Sequence, residues 1–278
     1  MHCPITYVEE LMIDISKIDY SILDQPEVVM FLFHPRGETF DSDISGLNVL
    51  IPVAKDVRIG GRFHIIDKSA PNILYFHGNG EIVAEYDDLG SVYKKIGINF
   101  LPVDYRGYGR STGQPTVTSM MQDCHVIFDF ITKWLNKNNH TGPLLLMGRS
   151  LGSASAIELA YHYKNQVNGL IVESGFANLG PLLQLLGINL ESIGFNEEYN
   201  SQNVNKIKEF DKPTLIIHAE LDHIIQFSNG QALYDACQAS DKTLLKIPQA
   251  NHNDIFTRGF SEYMAAVKTL ADKAGKVK

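Results

Sequence analysis

At 278 residues with 44% hydrophobic composition, the chain is long enough to bury one sizeable core, and a single domain over residues 1–278 is expected. A net charge of -8 with no basic cluster argues against a nucleic-acid partner and against attraction to an anionic membrane surface. Three widely spaced cysteines, Cys3, Cys124 and Cys237, are odd in number, which argues against a disulfide framework and for a reducing, cytoplasmic compartment.

Met1 to Pro4 lack the positive start and long apolar centre of a secretion signal. The run Val28 to Phe33 is far too short to span a bilayer, so no transmembrane segment is expected there. It reads as a buried strand or an anchoring segment. With Pro35 to Ser45 as loop, it belongs to an N-terminal extension over residues 1–45. Asn48 to Val53 and Arg58 to Ile66 then read as an antiparallel strand pair around Lys55-Asp56, with a bulge or bend at Gly60-Gly61.

Beyond that pair, apolar runs alternate with helix-compatible segments. Asn72 to Phe76 is a strand followed by His77-Gly78-Asn79-Gly80, and Ile82 to Ile96 a helix. Asn99 to Val103 is the next strand, followed by Tyr105-Arg106-Gly107-Tyr108-Gly109-Arg110-Ser111. Val117 to Leu135 places Met120, Cys124, Ile127, Phe128, Ile131 and Leu135 at helical spacing. This alternation predicts a mainly parallel sheet with helices on both faces, an α/β fold.

The most informative stretch follows the apolar run Pro143 to Met147. Gly148-Arg149-Ser150-Leu151-Gly152 leads from that strand into a helix over Ser153 to Lys164, so Ser150 sits on a sharp strand-to-helix turn that the two glycines permit. The hydroxyl is thereby exposed beside the unpaired N–H groups of a helix N-terminus, which suits a nucleophile whose target carbonyl oxygen becomes negative. A serine nucleophile needs an imidazole to take its proton and a carboxylate to steady that imidazole.

Candidates for both follow later strands. Pro213 to His218 reads as a buried strand with Asp222 in the loop after it. Thr243 to Pro248 is another, with His252 in its loop. Loops at the C-terminal ends of parallel strands converge, so Ser150, His252 and Asp222 form a candidate triad. Glu173, at the end of Leu170 to Val172, is the alternative acid. His223 and Asp254 read as loop polar residues. Helices over Phe227 to Gln238 and Gly259 to Ala274 complete the pattern.

The serine turn, the triad order and the glycine-rich loops resemble the α/β-hydrolase superfamily over most of the chain. Tyr105-Arg106-Gly107-Tyr108-Gly109-x-Ser111, with Gly113 and Pro115, is similar to its serine aminopeptidase-like, monoacylglycerol-lipase-like and depalmitoylase-like branch. The resemblance implies an oxyanion hole formed by the backbone N–H groups of Asn79 and Leu151. It also implies loop-bracing roles for His77 and Arg106, a hydrogen-bonding role beneath the turn for Arg149, and a cap over about residues 174–210.

Within that cap, Ser174 to Leu190 carries no charge and presents Phe176, Leu179, Leu182, Leu183, Leu185, Leu186 and Leu190. These pack the cap onto the body or line an acyl pocket. The expected activity is hydrolysis of carboxylic esters or thioesters of small to medium acyl substrates, lipid-like molecules included, through an acyl-enzyme. An amide or peptide hydrolase with the same triad and a non-catalytic ligand-binding protein on the same fold are the alternatives. No organic cofactor is expected, and the polar run from His218 to His223 lacks the spacing of a metal motif. No motif sets the oligomeric state.

Overall fold

A computed structural model describes residues 13–38 and 46–276 of the chain. Eight strands form one sheet in the order β1-β2-β4-β3-β5-β6-β7-β8. They are β1 (Leu47–Ala54), β2 (Val57–Phe63), β3 (Asn72–Phe76), β4 (Asn99–Val103), β5 (Leu144–Arg149), β6 (Gly169–Glu173), β7 (Thr214–Ala219) and β8 (Lys242–Ile247). β1 and β2 are antiparallel, β2 meets β4 antiparallel, and every later pairing is parallel.

The two-residue side-chain period of a strand divides the parallel strands between two cores. Leu74, Phe76, Leu144, Leu146, Leu170, Val172 and Ile216 point to one face, whereas Ile73, Tyr75, Leu145, Met147, Ile171, Leu215 and Ile217 point to the other. The first face is covered by α3 (Val117–Lys137), α4 (Gly152–His162) and α8 (Phe227–Ala236), and the second by α2 (Asp87–Lys95) and α9 (Ile255–Ala274). Burial on both sides explains why these strands read as continuous apolar runs.

Three short helices lie between β6 and β7: α5 (Leu179–Leu185), α6 (Glu197–Asn200) and α7 (Gln202–Ile207). The cap leucines divide between the two expected uses. Phe176, Leu179 and Leu182 line a cavity, Leu183 is fully buried in the core, and Leu185 is exposed.

Two local expectations are corrected. Val28 to Phe33 is not a strand: Pro26–Leu32 forms a helix, α1, with Pro26 and Glu27 in its first turn and only Val28 and Leu32 buried. An unbroken apolar run hides the one-turn spacing of those two side chains, and a proline at the start favours helix. The irregularity of the antiparallel pair lies on β1 between Pro52 and Ala54, not at Gly60-Gly61. These glycines instead allow close approach, since a Cβ on Gly60 would crowd the Asp104 carboxylate and one on Gly61 the Pro102 carbonyl. The expected loop over residues 35–45 is described only to Glu38, where it is irregular, and residues 39–45 lie outside the described residues.

Helix boundaries differ by a few residues. The expected helix over Ile82 to Ile96 starts as a 3₁₀ turn, Val83–Tyr86, before α2. Cys237 caps α8 and does not lie within it. The last helix starts earlier, at Ile255, and bends at Gly259, whose backbone is non-helical.

The chain moves outward from β3 to β4 and then crosses back to β5, so β3 and β5 are neighbours whose following helices leave on opposite sides. A crevice opens at such a reversal, at the C-terminal strand ends. Gly152 closes α4 onto this point, because a Cβ there would overlap the backbone carbonyl of Phe76 at the end of β3. Replacing Gly152 with Ala is expected to cost about 1–3 kcal/mol, the usual penalty of overpacking a rigid contact. Denaturant melts of the two proteins measure it.

Candidate active site

Ser150 follows the last residue of β5 and adopts φ 51°, a left-handed conformation that is unfavourable for a side chain bearing a Cβ. The turn is held from both sides. The Ser150 N–H donates to the Glu173 carbonyl at 2.8 Å, and its own carbonyl accepts from the Ser153 hydroxyl at 2.6 Å. This geometry holds the Ser150 hydroxyl clear of the sheet edge.

His252 lies in the loop after β8 and is 4% exposed, with its ring between the two other candidates. Its Nε2 is 3.0 Å from Ser150 Oγ and its Nδ1 is 2.7 Å from Asp222 Oδ2. Asp222 uses its other oxygen to accept from the backbone N–H groups of Ile224 and Ile225, at 3.0 and 2.8 Å. Burial pushes the Asp222 carboxyl up, but the His252 hydrogen bond and charge and these two amides outweigh it and hold it below the ordinary carboxylate value.

Buried His218 supports this loop. Its Nε2 is 2.7 Å from the Ile225 carbonyl, and burial lowers its pKa, which favours the neutral ring. The three residues expected to act together are therefore in one hydrogen-bonded line.

Glu173, the alternative acid, is directed elsewhere. Its carboxylate accepts from Tyr263 Oη at 2.6 Å and from Arg149 Nε at 3.2 Å, beneath the turn. Asp254 accepts from the Asn251 N–H at 2.6 Å within the His252 loop, and His223 is exposed.

Arg149 is 9% exposed and ties three loops together. Besides Glu173 it meets Glu81, in the loop after β3, and donates through Nη2 to the His252 carbonyl at 2.8 Å. Burial would lower its pKa, but Glu81 and Glu173 keep the guanidinium charged. Glu81 in turn accepts from the Gly78 N–H at 2.6 Å.

The loop after β3 carries the expected oxyanion donor. Among the described residues neither the Asn79 nor the Leu151 backbone N–H has a hydrogen-bond acceptor, and Leu151 immediately precedes α4. Asn79 is gripped by its side chain: its Oδ1 accepts from the His34 N–H and from Tyr108 Oη, both at 2.8 Å. His77 and Arg106 brace neighbouring loops, through Asp104 at 3.2 Å and a two-point contact with Asp123 at 2.7 and 2.8 Å.

The clasp from His34 has no signal in sequence spacing, because it joins the segment before β1 to a loop far along the chain. The same holds for the cavity that Leu151 lines. Its wall includes Leu151 and Ala154 from α4, Met120 and Met121 from α3, the cap residues named above, and Tyr20, Leu23 and Leu32 from the N-terminal segment. It is mainly apolar, with Gln202 and Lys206 among its few polar residues.

Comparisons with known proteins agree with this architecture. The family model described as serine aminopeptidase, S33, matches residues 67–193. The chain is 27% identical to protein bem46 of Schizosaccharomyces pombe over 67% of its own length and 63% of that protein's. It is 29% identical to alpha/beta hydrolase domain-containing protein 17B of Homo sapiens, over 72% of this chain and 66% of that protein. In both cases the match covers less than two thirds of the relative.

Among solved structures, an esterase of Pyrococcus furiosus shares the fold with a TM-score of 0.69 at 17% identity, covering 86% of this chain and 98% of the esterase. A monoacylglycerol lipase of Paleococcus ferrophilus does so with a TM-score of 0.59 at 18% identity, covering 78% and 99%. No helix among the described residues is long and apolar enough to cross a membrane.

Two measurable consequences follow from these contacts. Arg149→Met would strand the buried Glu173 carboxylate, so a loss of about 3–5 kcal/mol in unfolding free energy is expected, measured by chemical denaturation. Asp222 has a folded-state pKa below its ordinary value, so its bonds stabilise the fold above the ordinary carboxylate range and are lost as the pH falls through the folded value. The stability gap between the wild type and Asp222→Asn should therefore narrow below about pH 4, as read by thermal melts across an acid series. The strand order, the strained serine turn and these likenesses show that the chain has the α/β-hydrolase fold.

Proposed function

We propose that the protein is a serine hydrolase that cleaves carboxylic ester or thioester bonds of small to medium acyl substrates. The observation that carries this reading is the unbroken line from Ser150 Oγ through His252 to Asp222, at 3.0 and 2.7 Å. In this reading His252 Nε2 takes the Ser150 proton as the oxygen attacks the substrate carbonyl, and Asp222 stabilises the resulting imidazolium through Nδ1. The tetrahedral oxyanion accepts from the N–H groups of Asn79 and Leu151. The protonated His252 then gives its proton to the leaving group, and water releases the acyl group from Ser150 by the same steps in reverse.

The apolar cavity beside Leu151 supports an acyl group over a charged side chain, and among the described residues no carboxylate lines it. The esterase and lipase structures of the same fold are compatible with that class. Cys124 and Cys237 are buried free thiols, which suits a cytoplasmic site of action. One domain, with residues 174–210 as its cap and the segment before β1 as part of the cavity wall, is the organisation we propose.

A fluorophosphonate probe is expected to label the wild type and not Ser150→Ala. Among p-nitrophenyl esters of graded chain length, acyl thioesters and aminoacyl anilides, turnover is expected on the first two groups and its loss in Ser150→Ala. Undiminished ester hydrolysis by that variant would remove Ser150 from the mechanism, and faster cleavage of the anilides would make the protein an amide hydrolase.

A further inference from the structure

Along α4, about 12 Å beyond the serine turn at 1.5 Å per residue, Glu158 and His162 stand one turn apart on one face and meet His125 of α3. One ligand atom from each lies within 4.8 Å of the other two. Both imidazoles address the same carboxylate oxygen: Glu158 Oε1 is 3.4 Å from His125 Nε2 and 3.1 Å from His162 Nε2. We infer that His125, Glu158 and His162 form a binding site for a divalent transition-metal ion that favours imidazole ligands, with zinc as the probe.

The spacing carries the inference. Around a tetrahedral zinc with bonds of about 2.0–2.1 Å, neighbouring ligand atoms stand about 3.3–3.4 Å apart. The two edges that join Glu158 to the histidines are already close to that length. Only the edge between the imidazoles has to close, and His162, whose side chain is 29% exposed at the end of α4, has room to supply the movement. Two imidazoles and one carboxylate leave a fourth position for water on the open side of His162.

Outer contacts hold these ligands in place. Tyr163 Oη is 3.0 Å from His125 Nδ1, so an Nδ1–H tautomer can donate to it and present the Nε2 lone pair to a metal. Lys206 Nζ sits 2.5 Å from Glu158 Oε2, which turns Oε1 toward the histidines. The positive charge of Lys206 opposes a nearby cation, but it is shared: Nζ also donates to Gln202 Oε1 at 2.8 Å and to Tyr20 Oη at 3.0 Å.

The expectation of no metal rested on the run from His218 to His223, and this cluster has no such signature because its first histidine comes from another helix.

Zinc titration of the full-length, metal-free protein by isothermal calorimetry, in the presence of a competing chelator, tests the site. One zinc per chain is expected. His162→Gln should bind at least about tenfold more weakly, with circular dichroism showing that it remains folded, and His162→Cys should bind more tightly than His162→Gln because a thiolate replaces the lost ligand. His252→Gln should retain the site, which separates it from the imidazole beside Ser150. No zinc uptake by the wild type, equal affinity in His162→Gln, or loss of binding in His252→Gln would overturn the inference.

Discussion

The guanidinium of Arg149 is the tie on which the convergence of the site depends. Strands of a parallel sheet end at similar heights, but that alone does not fix how the loops beyond them fold back. Arg149 joins three of those ends, through Glu81 after β3, Glu173 at the end of β6 and the His252 carbonyl after β8. Its planar fork of donors can meet several acceptors at once, which a lysine ammonium in the same volume would do less well. Two acidic partners keep the buried charge compensated. The proposed base and the proposed oxyanion loop are therefore held by one side chain that touches neither the Ser150 hydroxyl nor the imidazole.

That tie works against a locally unfavourable turn. The left-handed backbone of Ser150 costs on the order of 1–3 kcal/mol, and the surrounding contacts make up for it. Gly152 lets α4 press against β3, the Glu173 carbonyl accepts from the Ser150 N–H, and the Ser153 hydroxyl holds the Ser150 carbonyl. Together these contacts hold the turn with Ser150 Oγ 3.0 Å from His252 Nε2.

How much of this was legible in the sequence depended on whether a residue's role was local. The Gly148 to Gly152 turn, the apolar runs before Asp222 and His252, and the antiparallel pair all carry their own short-range pattern. Each was found close to its place. Six apolar residues in a row from Val28 to Phe33 give no period, so only Pro26 and the tertiary burial of Val28 and Leu32 distinguish helix from the expected strand. Gly60 and Gly61 read in sequence as a bulge or bend, because the close approach of Asp104 and Pro102 is invisible without the neighbouring strand. His125 with Glu158 and His162 was missed for the same reason. The pair on α4 is a helical one-turn spacing, and its third member becomes a neighbour only when α3 packs beside α4.

The segment before β1 shows the same limit in its strongest form and alters how the site should be viewed. In sequence it is an extension without a motif. In three dimensions Tyr20, Leu23 and Leu32 form part of the cavity wall, and the His34 N–H and Tyr108 Oη hold the Asn79 side chain from one side while Arg36 meets Glu85 beyond the loop. An oxyanion donor acts through its direction, and small misplacement of such a group costs much of its effect. A backbone N–H is aimed by whatever fixes its own residue, and for Asn79 that grip comes partly from this segment. The N-terminal stretch thus bears on the proposed chemistry twice, by closing the apolar space for an acyl group and by setting the orientation of the amide that would face its carbonyl oxygen.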